Sequence, residues 1–209
     1  MRQPHLLQVV GACLFLLAAT PLAWASAKTH AKPPSRVLTS CYMCHSTHGD
    51  DPRFGYIPRL AHQSETYITE QLKAFRDGSR SDPPGEMYMW PVSQALTNRD
   101  IDLVADWYAS QPPPPPQKAG RLASYGSLIF HNGLLKQDVP ACMSCHGPAA
   151  EGAGIYPRLA GQNIEYLLEQ LRFFKSGVRH DKNADIMHMI AIHLTDHQMR
   201  AVADYLTSL

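Results

Sequence analysis

A chain of 209 residues can hold one large domain or two of ~100 residues, and either size can bury a core. Its composition, 44% hydrophobic and 18% charged, is that of an ordinary folded protein rather than a disordered or fibrous one. A formal net charge of +1 gives no electrostatic reason to expect nucleic acid or an anionic membrane surface as partner.

The chain opens on MRQPH, which carries Arg2 and no acid, followed by the apolar run LLQVVGACLFLLAATPLAWA. Two small-x-small sites follow, Ala23-Trp24-Ala25 and Ala25-Ser26-Ala27. This pattern predicts a signal peptide over residues 1–25, cleaved near 25–27, and an exported mature chain. The competing reading is an uncleaved anchor, but Gln8 and Pro21 interrupt the apolar run. No later segment approaches the ~20 apolar residues that span a bilayer. Of five cysteines, Cys13 leaves with the leader, and Cys41, Cys44, Cys142 and Cys145 remain.

The mature chain is written twice. IPRLAHQSETYITEQLKAFRDG (57–78) matches YPRLAGQNIEYLLEQLRFFKSG (156–177) at an offset of 99, and ALTNRDIDLVADWYAS (95–110) matches HLTDHQMRAVADYLTS (193–208) at 98. CYMCH and CMSCH lie 101 residues apart. Between the halves, QPPPPPQ (111–117) cannot continue a helix and favours a stiff polyproline II spacer. The expected division is a first domain over 36–111, a linker over 112–117 and a second domain over 118–209.

Both halves read as helices. PPSRVLTS before Cys41 predicts only a short first element. Ser64 caps a helix with the apolar face Tyr67, Ile68, Gln71, Leu72 and Phe75, closed by Gly78. Thr97 with Asp100 forms a capping box for a helix that buries Ile101, Val104 and Tyr108. In the second half, GRLASYGSLIFHNG (120–133) predicts a helix ahead of its cysteines. Asn163 then caps a helix with Ile164, Leu167, Leu168, Leu171 and Phe174 inward and Gly177 at its end. Thr195 with Gln198 starts the last helix, which buries Met199, Val202 and Leu206. No stretch alternates as a strand does.

Three chemistries use two thiols and a histidine at this spacing. Zinc needs four ligands, yet each half has only one cysteine pair, and His48 of the first copy is Ala149 in the second. A redox dithiol belongs in a βαβ setting, and these halves are helical. Covalent haem attachment uses both thiols as thioethers and the adjacent histidine as proximal iron ligand. One such motif per repeat, with no other cysteine in the mature chain, favours haem. For the sixth ligand, Leu96 and Leu194 are equivalent, and counting back seven from each reaches Met89 and Met187. Met87 and Met189 have no methionine counterpart, and His188 corresponds to Trp90, which cannot bind iron. The bland alternative for Met89 and Met187 is core filling. His48, His62, His131, His180, His193 and His197 are read as surface histidines.

With these elements in place, the chain resembles the dihaem cytochromes of the c4 type. The resemblance rests on CYMCH and CMSCH, PRLAHQ and PRLAGQ, EQLKAFRDG and EQLRFFKSG, and the Met-x6-Leu-Thr lead into each last helix, and it covers residues 36–209. It implies an all-α fold of two tandem class I cytochrome c domains, each wrapped around one covalently bound haem. It implies thioethers at Cys41, Cys44, Cys142 and Cys145 and axial pairs His45/Met89 and His146/Met187. Pro58 and Pro157 would each present a backbone carbonyl to the proximal histidine. Arg59 and Arg158 would either face haem propionates or be solvated surface charges. The first half departs from the pattern: Ser46 replaces the glycine seen as Gly147, its HSTHGDDPRFGYIP loop is two residues longer, and its methionine segment SDPPGEMYMWP is rich in proline.

The resemblance implies a periplasmic electron carrier between a respiratory complex or dehydrogenase and a terminal oxidase or reductase, docking to redox protein partners. Two other classes fit the same residues. One is a haem enzyme, such as a peroxidase or an oxidase of small sulfur compounds, with Met89 displaceable. The other is a cytochrome subunit of a larger redox complex. Charge does not separate them: residues 26–111 carry 9 basic and 10 acidic side chains, and 112–209 carry 9 and 8.

Overall fold

The computed structural model describes residues 30–50 and 54–209, so the expected leader and its cleavage sites lie outside the described residues. In the first half, α1 (Ser35–His45) runs without a break through the CxxCH motif. It is followed by α2 (Glu65–Arg76), a π-helical turn (Gly85–Met89), α3 (Trp90–Gln94) and α4 (Asn98–Ala109). The second half holds α5 (Ala123–Asn132), α6 (Met143–His146), α7 (Ile164–Ser176), α8 (Ala184–Ala191) and α9 (Asp196–Leu206). The described residues contain no strand, only isolated bridges at Leu134–Val139 and Ala153–Tyr156.

Local sequence explains most boundaries. Ser64 accepts from the Tyr67 N–H at the start of α2, and the capping boxes of Thr97 with Asp100 and Thr195 with Gln198 are both complete. Gly177 closes α7 at φ 70. Asn163 departs from expectation. It precedes α7 without capping it, because its Oδ1 instead accepts from Gln117 Nε2 at 3.2 Å while its Nδ2 donates to the carbonyl oxygen of Ile57 in the other half, at 2.6 Å. Only residues 35–40 of α1 precede Cys41, so the element ahead of the motif is shorter than α5, as expected. α1 absorbs the motif into one helix of 11 residues, whereas the second half splits the same role between α5 and α6.

The first core gathers Val37, Cys41, Ile68, Leu72, Ile101, Val104 and Tyr108 from α1, α2 and α4. The second gathers Ile129, Phe130, Leu167, Leu168, Met199, Val202 and Leu206 from α5, α7 and α9. α5 crosses α9 at backbone contact: a Cβ on Gly126 would lie 1.9 Å from the Ala201 carbonyl oxygen. The proline run is strapped to both halves. The Arg59 guanidinium donates to the Pro115 carbonyl at 2.9 Å, and the Gln117 N–H donates to the Thr207 carbonyl at 2.9 Å.

Candidate haem sites

Each CxxCH ends a helix, so its histidine is presented at the helix terminus. The chain leaves α1 at Ser46 with φ 62 and ψ 164, and leaves α6 at Gly147 with φ 81. Glycine adopts that region freely, whereas serine needs support. The Ser46 hydroxyl donates to Asp50 at 3.0 Å and accepts from the Gly49 N–H at 3.0 Å, and the Tyr108 hydroxyl donates to the Ser46 carbonyl at 3.1 Å. The longer first loop thus supplies the bonds that hold a non-glycine residue there.

Both histidines are buried, His45 at 9% exposure and His146 at 7%. His45 Nδ1 lies 3.0 Å from the Pro58 carbonyl oxygen, and His146 Nδ1 lies 2.9 Å from that of Pro157. A carbonyl only accepts, so Nδ1 carries the proton and Nε2 keeps the lone pair. Burial lowers the pKa of both rings against the opposing effect of the carbonyl, which keeps them neutral and able to ligate. Burial also pushes the thiols of Cys41 and Cys142 up to about 11. A redox-active thiol needs the opposite shift. Among the described residues, no group of three or more His, Cys, Asp or Glu is arranged to hold a metal ion.

One continuous cavity of about 400 Å³ is lined by Cys41, Cys44, His45 and Met89 from the first half and by Cys142, Cys145, His146 and Met187 from the second. Its walls include Ile68, Leu72, Phe75, Leu167, Leu171 and Phe174. Arg158 also lines it, with a buried Nε that has no hydrogen-bond partner. An apolar slot lined by thiols, imidazoles and thioethers, with an unpaired guanidinium nitrogen, suits a flat, apolar macrocycle that carries anionic side groups.

The methionine pairs are separated by placement. Met89 packs against the first core and Met187 against Phe174, Ala184 and Ala191, while Met87 and Met189 are 66% and 61% exposed. His188 Nδ1 donates to the Phe174 carbonyl at 2.7 Å, and its counterpart Trp90 donates to the Arg80 carbonyl at 2.8 Å. Neither methionine sits on a loop. Met89 ends the π-helical turn and Met187 lies within α8, so backbone hydrogen bonds fix both.

The arginines of the PRLA segments part company. Arg59 is 4% exposed, and its Nη1 donates to the carbonyls of Pro115 and Gly161, so it is not a solvated charge. The segments themselves meet across the seam, where Gln162 brackets the Arg59 peptide and Gln63 brackets that of Arg158. Sequence reasoning also passed over Arg80, Asp82, Arg179 and Asp181, which are buried or half-buried at this seam. Their trace was available: RSD at 80–82 and RHD at 179–181 repeat at the same offset of 99.

Residues 35–111 and 123–209 each match the Cytochrome c family. The chain is 43% identical over 197 residues to cytochrome c-552 of Acidithiobacillus ferridurans, covering 93% of this chain and 84% of that one. It is 34% identical over 198 residues to a thiosulfate dehydrogenase electron acceptor of Thiomonas intermedia, covering 92% and 86%. The solved structure of cytochrome c4 from Acidithiobacillus ferrooxidans superposes with a TM-score of 0.76 at 42% identity, over 82% of this chain and 99% of that one. Matched in both halves and over most of its length, the chain belongs to the cytochrome c family, as a dihaem electron-transfer cytochrome of the c4 type with two covalently bound haem c groups.

Proposed function

We propose that His45 and Met89 ligate the iron of the first haem and His146 and Met187 that of the second. Cys41, Cys44, Cys142 and Cys145 form the thioethers, and each half, 36–111 and 118–209, forms a domain around its haem. The observation that carries this reading is that all eight side chains line one cavity, with both histidines held through Nδ1 by a proline carbonyl. When bound, haem supplies an iron centre that takes up and releases one electron. The chain's own residues orient the imidazoles and exclude water with apolar walls; His45 with Met89, and His146 with Met187, would hold the two irons and would leave neither open to a substrate.

The protein works in the periplasm, receiving electrons from one redox protein and delivering them to another, with a membrane-bound oxidase or reductase as acceptor. The N-terminal leader pattern supports export. Among the described residues, no helix is long and apolar enough to cross a membrane. The likeness to a thiosulfate dehydrogenase electron acceptor supports a sulfur-compound dehydrogenase as donor.

Two measurements test this. The purified exported protein should carry two haems per chain and show the long-wavelength Met–Fe band at full two-haem intensity. One haem, or half the band with ready cyanide binding, would overturn the paired ligation. A purified thiosulfate dehydrogenase with thiosulfate should reduce the cytochrome. Reduction no faster than with thiosulfate alone would rule out that donor.

A further inference from the structure

The seam between the halves holds a buried cluster built from repeat-related residues. Arg80 and Arg179 are each 4% exposed. Arg80 donates to Gln71 Oε1 of its own half at 2.6 Å and to Gln170 Oε1 of the other at 3.2 Å. Arg179 donates to Gln170 of its own half, and across the seam to Gln71 Oε1 at 2.8 Å and the Tyr67 hydroxyl at 3.2 Å. Each glutamine carbonyl therefore accepts from arginines of both halves. Each guanidinium also covers a phenylalanine ring of its own half, Phe75 at 4.3 Å and Phe174 at 4.5 Å.

The cluster is not symmetric in charge. Arg80 is paired with Asp82 at 2.5 Å, whereas Arg179 and Asp181 lie 3.4 Å apart. Arg179 is thus less closely neutralised and makes the stronger reach into the opposite half. Tyr67, Gln71, Gln170 and Arg179 all line the cavity that also holds both cysteine–histidine sites. A guanidinium keeps its charge at any working pH, and a buried charge acts over longer distances than a solvated one.

We propose that Arg179, although it belongs to the second half, is a positioning residue for both haem sites, so that one buried charge at the seam sets the two reduction potentials jointly. Its fork holds Gln71 and Tyr67 in the wall of the first site while stacking on Phe174 in the wall of the second. A fixed positive charge favours the reduced iron, which has gained an electron. Its removal therefore lowers both potentials. This inference rests on the two-haem reading above.

The test uses the exported full-length holoprotein and reads both potentials by redox titration, each assigned to its half through the haem methyl resonances. Arg179→Gln is expected to lower both potentials, with a first-site shift of the same sign as that of the second site and comparable in size. Arg179→Lys, which keeps the charge but not the fork, returns both towards wild type. Gln71→Leu leaves every charge in place but releases the Arg179 fork from the wall of the first site, so it shifts the first-site potential alone. Its effect at that site is less than additive with Arg179→Gln. A shift confined to the second haem, or to neither, overturns the proposal. Should Arg179→Gln fail to load two haems, an unchanged first-site potential in Gln71→Leu overturns it as well. The potentials are read with or without a Met–Fe band, so a missing band in the wild type overturns the axial assignment and leaves the cross-half shift to be judged separately.

Discussion

Gln162 brackets the peptide of Arg59 across the seam: its Oε1 accepts from the Arg59 N–H at 2.8 Å, and its Nε2 donates to the Arg59 carbonyl at 2.9 Å. Gln63 does the same to Arg158, at 2.7 and 3.0 Å. The two glutamines are repeat equivalents, so the interface is made by one motif used in both directions. Truncating Gln162 leaves a buried N–H and C=O unsatisfied, which costs about 1–3 kcal/mol per group. Gln162→Ala should lower the denaturation midpoint measurably. Gln63→Ala should cost less, because the Arg158 end of its pair is half-buried.

The methionines give a sharper contrast. Met89→Ala and Met187→Ala should each remove one haem's share of the Met–Fe band without changing haem content. Met87→Ala and Met189→Ala should leave the band intact, because those side chains are exposed and do not line the cavity. Optical spectra of the four variants decide it.

Gly126 carries the crossing of α5 and α9. Alanine usually helps a helix interior by about 1 kcal/mol over glycine. Here its Cβ would meet the Ala201 carbonyl oxygen and carbon at 1.9 and 2.5 Å, so the helices must separate. Gly126→Ala should destabilise the protein by about 1–3 kcal/mol, as overpacking typically does. Chemical denaturation of the holoprotein tests this.

Acid should weaken the seam through Asp82. Burial raises the pKa of this carboxyl, but the Arg80 charge and hydrogen bond, together with the Arg179 charge, outweigh that and hold it below the ordinary range. A folded-state pKa below the unfolded one contributes stability that is present above about pH 4 and is lost as pH falls through the folded value. The unfolding midpoint of the wild type should therefore drop as pH falls below about 4. Asp82→Asn should be less stable at neutral pH and show a flatter acid limb. An identical acid slope in the two proteins would remove Asp82 as the cause.

Much of this molecule was legible because its signals are local. A capping box needs only residues three apart, and Thr97 and Thr195 formed theirs as the sequence predicted. The i, i+4 apolar faces of α2 and α7 settled onto their cores for the same reason. The internal repeat did further work by singling out Met89 and Met187, the two that line the cavity. Asn163 was misread because its local environment, a polar residue just before a helix, is that of a cap. Gln117, 46 residues away, claimed its oxygen, and Ile57, 106 residues away, claimed its nitrogen. Gln71 sat on a predicted apolar face with nothing nearby in sequence to explain a buried amide, and its repeat equivalent Gln170 was not read as buried at all.

Thiol spacing, helical periodicity and a repeat offset are all read along one line, so the haem chemistry, the helices and the twofold plan were legible there. How the halves face each other, and which polar groups lie between them, emerges only when the chain is packed. Gln63, Gln162, Arg59, Arg80 and Arg179 each satisfy buried polar groups with partners in the opposite half. A buried polar side chain must find a partner wherever the fold puts one, and no local pattern encodes where that is.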